Sequence, residues 1–550
     1  MDRRSFFKKA ALTATGVPFI SKKPLFAKNV NGVKFFGVHS FIEDNPEAVF
    51  IMKTNVDEKT NGSAIYSAGK FFVDSVLIEK DENDTGAVPV DSLIAIKPNL
   101  TLRFRFKDQY TVEGTMGIVT DVNFTAALVD RLKGFGVDAD KIHLIETNYS
   151  EEDLTDGGYI QFAADAGIHL NDYSDGVSAI DESKIVWKDV IGGGYFKKIP
   201  YIYPVNAENS WLLNIAKLKA HGMGITSCAK NLQGTIVKPY QQHCYPSLGY
   251  NPPSDIDDVD TGHLVENRFD LIEANYLRHK DKIPRWDKPG RSGGVWQETW
   301  ATRCLDNNSV TKAGLHVVEG IYGRDGNFVN GPSLGDNNQD GLATDYMSNV
   351  IIFGKNPFHV DVIAHWIAGH EPGNFGLLHM AKERNFSKKL NPADIELYEW
   401  KDDGTATSRT LEYFNRTPLK TYYLQRDYDD QTEPYWHLCD EPYDYSATAI
   451  QEDNDRITPN NFELKQNYPN PFNPITTIEF SLKNATHVNL TLFTITGRKV
   501  ATLINRQMPA GEHQYEVAVD AVNMQLSSGT YIYTLKTKEY IKSKRMTVLK

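Results

Sequence analysis

FTAALVDRLKGFGVDADKIHLI, residues 124–145, decides the fold. Phe124 to Leu132 carry apolar residues at helical spacing, Gly134 and Gly136 stop the helix, and Ile142-His143-Leu144-Ile145 is a strand. Upstream, Leu93-Ile94-Ala95-Ile96 is another short apolar run, so the unit reads strand, helix, strand. Further strands are expected at Trp211 to Ile215, Leu315 to Val318 and Val350 to Phe353. Helices are expected at Tyr159 to Ala166, Pro357 to Ala368 and Asn374 to Arg384. This alternation predicts an α/β body with a mainly parallel sheet and helices on both faces.

At 550 residues, with 41% hydrophobic and 24% charged, the chain is long enough for two to four domains and apolar enough to bury their cores. Its formal charge of −12 argues against a nucleic-acid binder, which needs an excess of lysine and arginine against phosphates. The charge is unevenly placed: residues 1–27 and 460–550 are each basic, leaving residues 28–459 strongly acidic. No run reaches the ~18 apolar residues of a membrane span.

Arg3-Arg4, then Ser5-Phe6-Phe7-Lys8-Lys9, the small apolar run Ala10 to Ile20 and Leu25-Phe26-Ala27 describe an export signal over residues 1–27. The arginine pair with Phe6 and Phe7 resembles a twin-arginine signal, whose family exports folded proteins; an ordinary secretory signal is the other reading. Cys228, Cys244, Cys304 and Cys439 allow three disulfide pairings or structural thiols. None is spaced C-x-x-C, so an iron–sulfur cluster is not expected.

From residue 460 the pattern changes to short alternating strands, among them Thr477 to Phe480, Val488 to Phe493 and Gly529 to Leu535. Turns fall at Gly497, Gly511 and Ser527-Ser528-Gly529. That spacing predicts a small C-terminal β-sandwich. Asn467 to Pro474, Gly497-Arg498-Lys499-Val500, Ala510-Gly511-Glu512-His513, Ser528 to Tyr531 and the basic end Lys542 to Lys550 resemble the type IX (Por) secretion C-terminal sorting domain, type A. The resemblance implies secretion to the outer cell surface through the periplasm, with the twin-arginine and type IX machineries as partners. Residues 401–459, acidic and aromatic, are expected to be an irregular extension and linker.

Ligands of open parallel sheets gather at the carboxyl ends of the strands. Just past the expected strands stand Lys97-Pro98-Asn99, Glu146, Lys217, Lys219 and His221, and Glu319. Lysines there could hold a carboxylate or phosphate, and His221 with Glu146 or Glu319 could bind a divalent metal or move protons. Lys97-Pro98-Asn99, Lys217 to Thr226, Ala229 to Gly234, Val317 to Gly320, Gly331-Pro332 with Gly335, and Gly354 with Pro357 and Asp361 resemble the family catalogued as domain of unknown function 362, over about residues 33–385. Glu319 stands where that family tends to have aspartate. The expected site has His221, Glu319 and Lys219 as catalytic groups, and Lys97, Asn99, Lys230 and Asn231 as substrate-binding groups. His221, Glu146 and Asp361 form the candidate metal set. The body is read as an enzyme with an anion-binding cleft, or as a non-catalytic surface protein that binds a metal or polyanion.

Other motifs fail on context. Gly331 to Gly335 has the letters of a nucleophile elbow around Ser333 but lacks the flanking strand and helix. Asp336 to Gly341 begins like a calcium loop, yet Met347 stands where a bidentate glutamate is needed. Asp361 and His365, an i, i+4 pair, fit either a shared metal or a hydrogen-bonded helix face.

Overall fold

The computed structural model describes residues 34–100, 116–147, 154–155, 157–171, 184–221, 224–237, 261–284, 294–324, 345–419, 421, 442–446, 462–482, 486–508, 511–521, 524–538 and 540–549. The export signal, the Ser333 motif, Asp336 to Gly341, Cys244, Cys439 and the linker at 451–459 lie outside these residues. The chain divides into two compact units, Met1–Tyr443 and Asp444–Lys550.

The first unit is built on one large sheet. Its strands are β1 (Val49–Lys53), β2 (Leu93–Pro98), β3 (Ile142–Ile145), β4 (His169–Asn171), β5 (Ser210–His221), β6 (Leu315–Arg324), β7 (Asp345–Gly354), β8 (Leu397–Trp400) and β9 (Ala406–Ser408). They lie in the order β9-β8-β1-β7-β6-β5-β2-β3-β4. The stretch β6-β5-β2-β3-β4 is parallel throughout. Beyond it β7 runs antiparallel to both β6 and β1, so the sheet is mixed and the expectation of a mainly parallel one holds for that half. Val350 to Phe353 is buried along its whole length, and a strand buried on both faces reads as a continuous apolar run in either direction.

The helices used below are α1 (Gly62–Val76), α2 (Val122–Gly134), α3 (Tyr159–Ala166), α4 (Cys228–Asn231), α5 (Arg268–His279), α6 (Gly294–Val310), α7 (Pro357–Ile367) and α8 (Gly376–Glu383). Alternate strand residues enter two separate cores, as period-two geometry requires. Ile94, Ile96, Leu213 and Ile215 pack with Phe72 of α1, Phe124 and Leu128 of α2 and Phe162 of α3. Ala95 and Leu212 pack with Leu232 and Ile272, and Val295 and Val310 of α6 lie against that second core. Each large apolar side chain so buried contributes about 1.5–3 kcal/mol. Helix ends follow the sequence: Asp121 caps α2 by accepting from Asn123 N, and Asn356 accepts from Phe358 and His359 N before Pro357 opens α7.

Topology places the site. From β2 the chain adds β3 and β4 on one side, then β5 and β6 on the other. The strand order therefore reverses between β2 and β5, and the crevice beyond their carboxyl ends is where such sheets hold ligands.

In the second unit, β10 (Glu463–Leu464), β11 (Ile475–Leu482) and β14 (Gly511–Ala518) form one antiparallel sheet. The strands β12 (Thr486–Thr494), β13 (Lys499–Met508), β15 (Gly529–Lys536) and β16 (Ile541–Val548) form another, in the order β13-β12-β15-β16. Their inward residues, including Ile478, Phe480, Leu490, Leu492, Tyr533 and Met546, share one core. This is the expected sandwich. Tyr533 fastens the segment leading into it, its hydroxyl donating to the Lys465 carbonyl at 2.9 Å and accepting from Asn467 N at 2.7 Å.

Candidate functional site

The polar residues expected in loops stand mostly inside strands. β5 continues through Lys217, Lys219 and His221 to residue 221, β2 includes Lys97, and β6 includes Glu319. The reason is visible in Lys217-Leu218-Lys219-Ala220-His221, where polar and apolar residues alternate: Leu218 and Ala220 are buried apolar strand positions. The lysines are buried as well, so each needs a partner.

Two ion pairs answer that need, from opposite faces of the sheet. Lys97 continues the face of Ala95 and sits beside Asn214 in the register of β2 and β5. Its Nζ lies 2.7 Å from Glu146 Oε2, 2.6 Å from the Pro98 carbonyl and 3.2 Å from Asn231 Oδ1. These bonds engage all three ammonium protons. Burial pulls Lys97 below the usual lysine range, and Glu146 opposes that shift. Lys217, level with Glu319 in the register of β5 and β6, continues the face of Ile215 and Val317. Its Nζ is 2.6 Å from Glu319 Oε2 and 3.4 Å from the centre of the Tyr322 ring. Glu319 also accepts from Asp121 N at 3.3 Å and Ile321 N at 3.1 Å. Burial raises its carboxyl, and Lys217 counters that rise. Lys97 and Glu319, expected to share a cleft, thus belong to separate pairs.

Asn231 is a hub inside the network. Its Nδ2 donates to Asn214 Oδ1 at 2.8 Å and approaches the Lys97 and Ile215 carbonyls, both at 3.1 Å. Its Oδ1 accepts from Lys97 and, at 2.9 Å, from Asn99 Nδ2. Asn231 and Lys97 therefore hold the site's frame. Asn99 is fixed through its backbone, its N–H donating to Thr120 Oγ1, which donates to the Ile215 carbonyl.

Lys219 and His221 both lie within electrostatic reach of Lys230. Lys219 donates to the Ile118 carbonyl. Burial, then Lys230, with Arg324 and Lys217 among the further contributors, holds it well below the ordinary lysine value. His221 packs edge-on against Trp300, ring centres 4.9 Å apart. Burial with Lys230 and Lys219 nearby keeps its imidazole neutral. Lys230 is half-buried, 6.0 Å from the Trp300 ring centre, with no hydrogen-bond or ion-pair partner among the described residues.

Asp361 positions this arrangement from α7. Its carboxylate accepts from Cys228 N at 2.7 Å and Ala229 N at 3.0 Å, holding the first turn of α4, which carries Lys230 and Asn231. Burial raises Asp361 to about 7 despite those donors. Asp361→Ala should cost about 1–2 kcal/mol, the usual value of such a cap, and Asp361→Asn, which keeps one acceptor, less. Urea titration of the two variants measures the difference. His365 turns its Nδ1 to the Asp361 carbonyl at 2.7 Å and packs on Phe375, the hydrogen-bonded helix face rather than a shared ligand pair.

The expected metal set is not assembled. No group of three His, Cys, Asp or Glu side chains among the described residues is placed to hold a metal. Glu146 is taken by Lys97, Leu100 N and Thr147 N, and Asp361 by α4. Cys228 and Cys304 are both buried. Asn214, Thr120, Asp121, Tyr322 and Trp300 were not expected in the site. Of these, Asp121 carried a signal, as an aspartate opening a helix.

Residues 94–365 match the family model described as Domain of unknown function (DUF362), and residues 466–549 match that described as Secretion system C-terminal sorting domain. The body resembles the DUF362 family over those residues. Its matched stretch runs from β2 into α7, narrower than the 33–385 expected, and contains every candidate site residue named above. The second match assigns the tail to secretion and attachment at the outer cell surface. No curated protein matches the chain. Among solved structures, the archaeal flagellum of Methanospirillum hungatei strain JF1 aligns at 12% identity over 19% of this chain and 76% of that one, with a TM-score of 0.13. The Ig1 domain of mouse SynCAM 2 aligns at 13% identity over 14% and 80%, with a TM-score of 0.10. Neither bears on the fold or the site.

Proposed function

We propose that the DUF362 domain is the working part of an exported surface protein and that it binds a small anion beyond the carboxyl ends of β2 and β5. Lys230 carries this reading: half-buried, within electrostatic reach of Lys97, Lys219 and His221, it has no counter-charge among the described residues. Lys97 and Lys217 are already neutralised by Glu146 and Glu319, and Lys219 donates to the Ile118 carbonyl, so Lys230 is the group offered to a ligand.

Binding is favoured over catalysis at this site. Both carboxylates are committed to lysines and backbone N–H groups, and burial with Lys230 and Lys219 nearby lowers His221, which weakens it as a base. The Arg3-Arg4 signal supports passage of the folded chain to the periplasm by the twin-arginine route, followed by type IX secretion. Among the described residues no helix is long and apolar enough to cross a membrane.

Calorimetric titration of the mature protein with inorganic phosphate tests the anion reading. Lys230→Ala should weaken phosphate at least tenfold while leaving the unfolding midpoint unchanged or slightly raised, because removing it relieves like-charge repulsion. Equal affinity in the variant would sink the assignment.

A further inference from the structure

The orientation of four buried side chains sets a second requirement on the ligand. The Cys228 carbonyl accepts from Asn214 Nδ2 at 2.9 Å, so Asn214 turns Oδ1 toward Asn231. Asn231 must then present Nδ2 to Asn214 Oδ1, with the Lys97 and Ile215 carbonyls beside it. Its Oδ1 is left to the Lys97 ammonium, which can only donate. Facing that oxygen, Asn99 has to offer Nδ2, and it does so at 2.9 Å. The chain of amides thus has one direction, fixed by the Cys228 carbonyl at its start and by the Lys97 ammonium at Asn231, neither of which can reverse. Its last acceptor, Asn99 Oδ1, has no hydrogen-bond partner among the described residues, although Asn99 is 6% exposed. A buried acceptor in this state calls for a donor.

We infer that the ligand is an anion that also carries an O–H donor, its charge meeting Lys230 and its hydroxyl donating to Asn99 Oδ1. Protonated phosphate and a small hydroxy acid share that chemistry. The inference rests on the anion reading and adds selectivity to it: sulfate and acetate have the charge without the donor, and a site built around a buried acceptor rejects a partner that leaves it unpaired.

Two matched pairs at pH 7, phosphate against sulfate and glycolate against acetate, test it by calorimetry on the full mature chain. One pair should show at least about 100-fold preference for the member with the O–H, within the range such sites reach. Preference in the first pair identifies phosphate chemistry, and in the second a hydroxy acid. Asn99→Ala should reduce that ratio below about tenfold by weakening the hydroxylated member. Comparable affinity within both pairs overturns the inference and leaves the anion reading standing, as does an Asn99→Ala variant that keeps the full ratio. Failure of all four anions to bind overturns both. The wild-type ratios need no variant to fold.

Discussion

Lys97→Met should lower the unfolding free energy of the body by about 3–5 kcal/mol, the cost of leaving a buried partner charge uncompensated. The substitution strands Glu146, whose side chain is 3% exposed and 2.7 Å from the lysine nitrogen, and removes one of the donors that orient Asn231. Urea denaturation followed by tryptophan fluorescence measures the loss. Lys97→Met with Glu146→Leu should recover a large part of it, since a well-packed apolar pair can equal a buried ion pair. If the double variant is no more stable than Lys97→Met alone, the pair is not what holds this corner. Gly234→Ala reaches the same place by another route: a Cβ there would stand 2.2 Å from Glu146 Oε1 and 2.6 Å from Lys97 Cε, so the ion pair has to move.

The second large effect is a loss of stability at alkaline pH, centred on His279 at the end of α5. Its Nδ1 is 3.1 Å from Glu298 of α6 and its Nε2 2.6 Å from Glu383 of α8, so one imidazolium ties three helices. Burial alone would lower this histidine, but the hydrogen bonds and charge of the two glutamates outweigh it and raise it to about 9. An unfolded histidine titrates near 6.5. The stabilisation is therefore complete below about pH 6.5, declines above it and is gone once pH has risen past about 9. The shift caps it at roughly 3 kcal/mol, and the partly solvent-exposed Glu383 reduces that to about 1–2 kcal/mol. The urea midpoint should fall between pH 6.5 and 10 in the wild-type chain, and His279→Gln should flatten that slope. Parallel slopes would exclude this histidine as their source.

Much of the fold was legible because its signals are local. Helical spacing and Gly134 located α2, Asn356-Pro357 located the start of α7, and alternation located the strands of the sandwich. The direction of β7 was not legible, since it depends on which neighbours the strand pairs with. For the site, residue types were readable and their use was not. Lys217-Leu218-Lys219-Ala220-His221 looks like polar loop until Leu218 and Ala220 are counted as strand positions. Asp361 looks like a ligand until α4 is seen starting on it. The separation of the two ion pairs onto opposite faces follows from strand parity, which is hidden until the strands are known to continue through Lys97, Lys217 and Glu319.

The outer strand β16 has a consequence for life in a crowd. It is hydrogen-bonded to β15 along one side, while Phe472 touches the other side only near Val548. The Arg545 carbonyl is taken by the Gln466 and Asn470 side chains, but over Ile541 to Lys544 no strand among the described residues pairs with that side, leaving an edge to which another chain could add a strand. That stretch carries Lys542 and Lys544, with Arg545 next to it, and Lys542 and Arg545 are exposed. Two such edges brought together would oppose like charges across the shortest distance in a sheet, so copies concentrated at one cell surface resist aggregating through this edge.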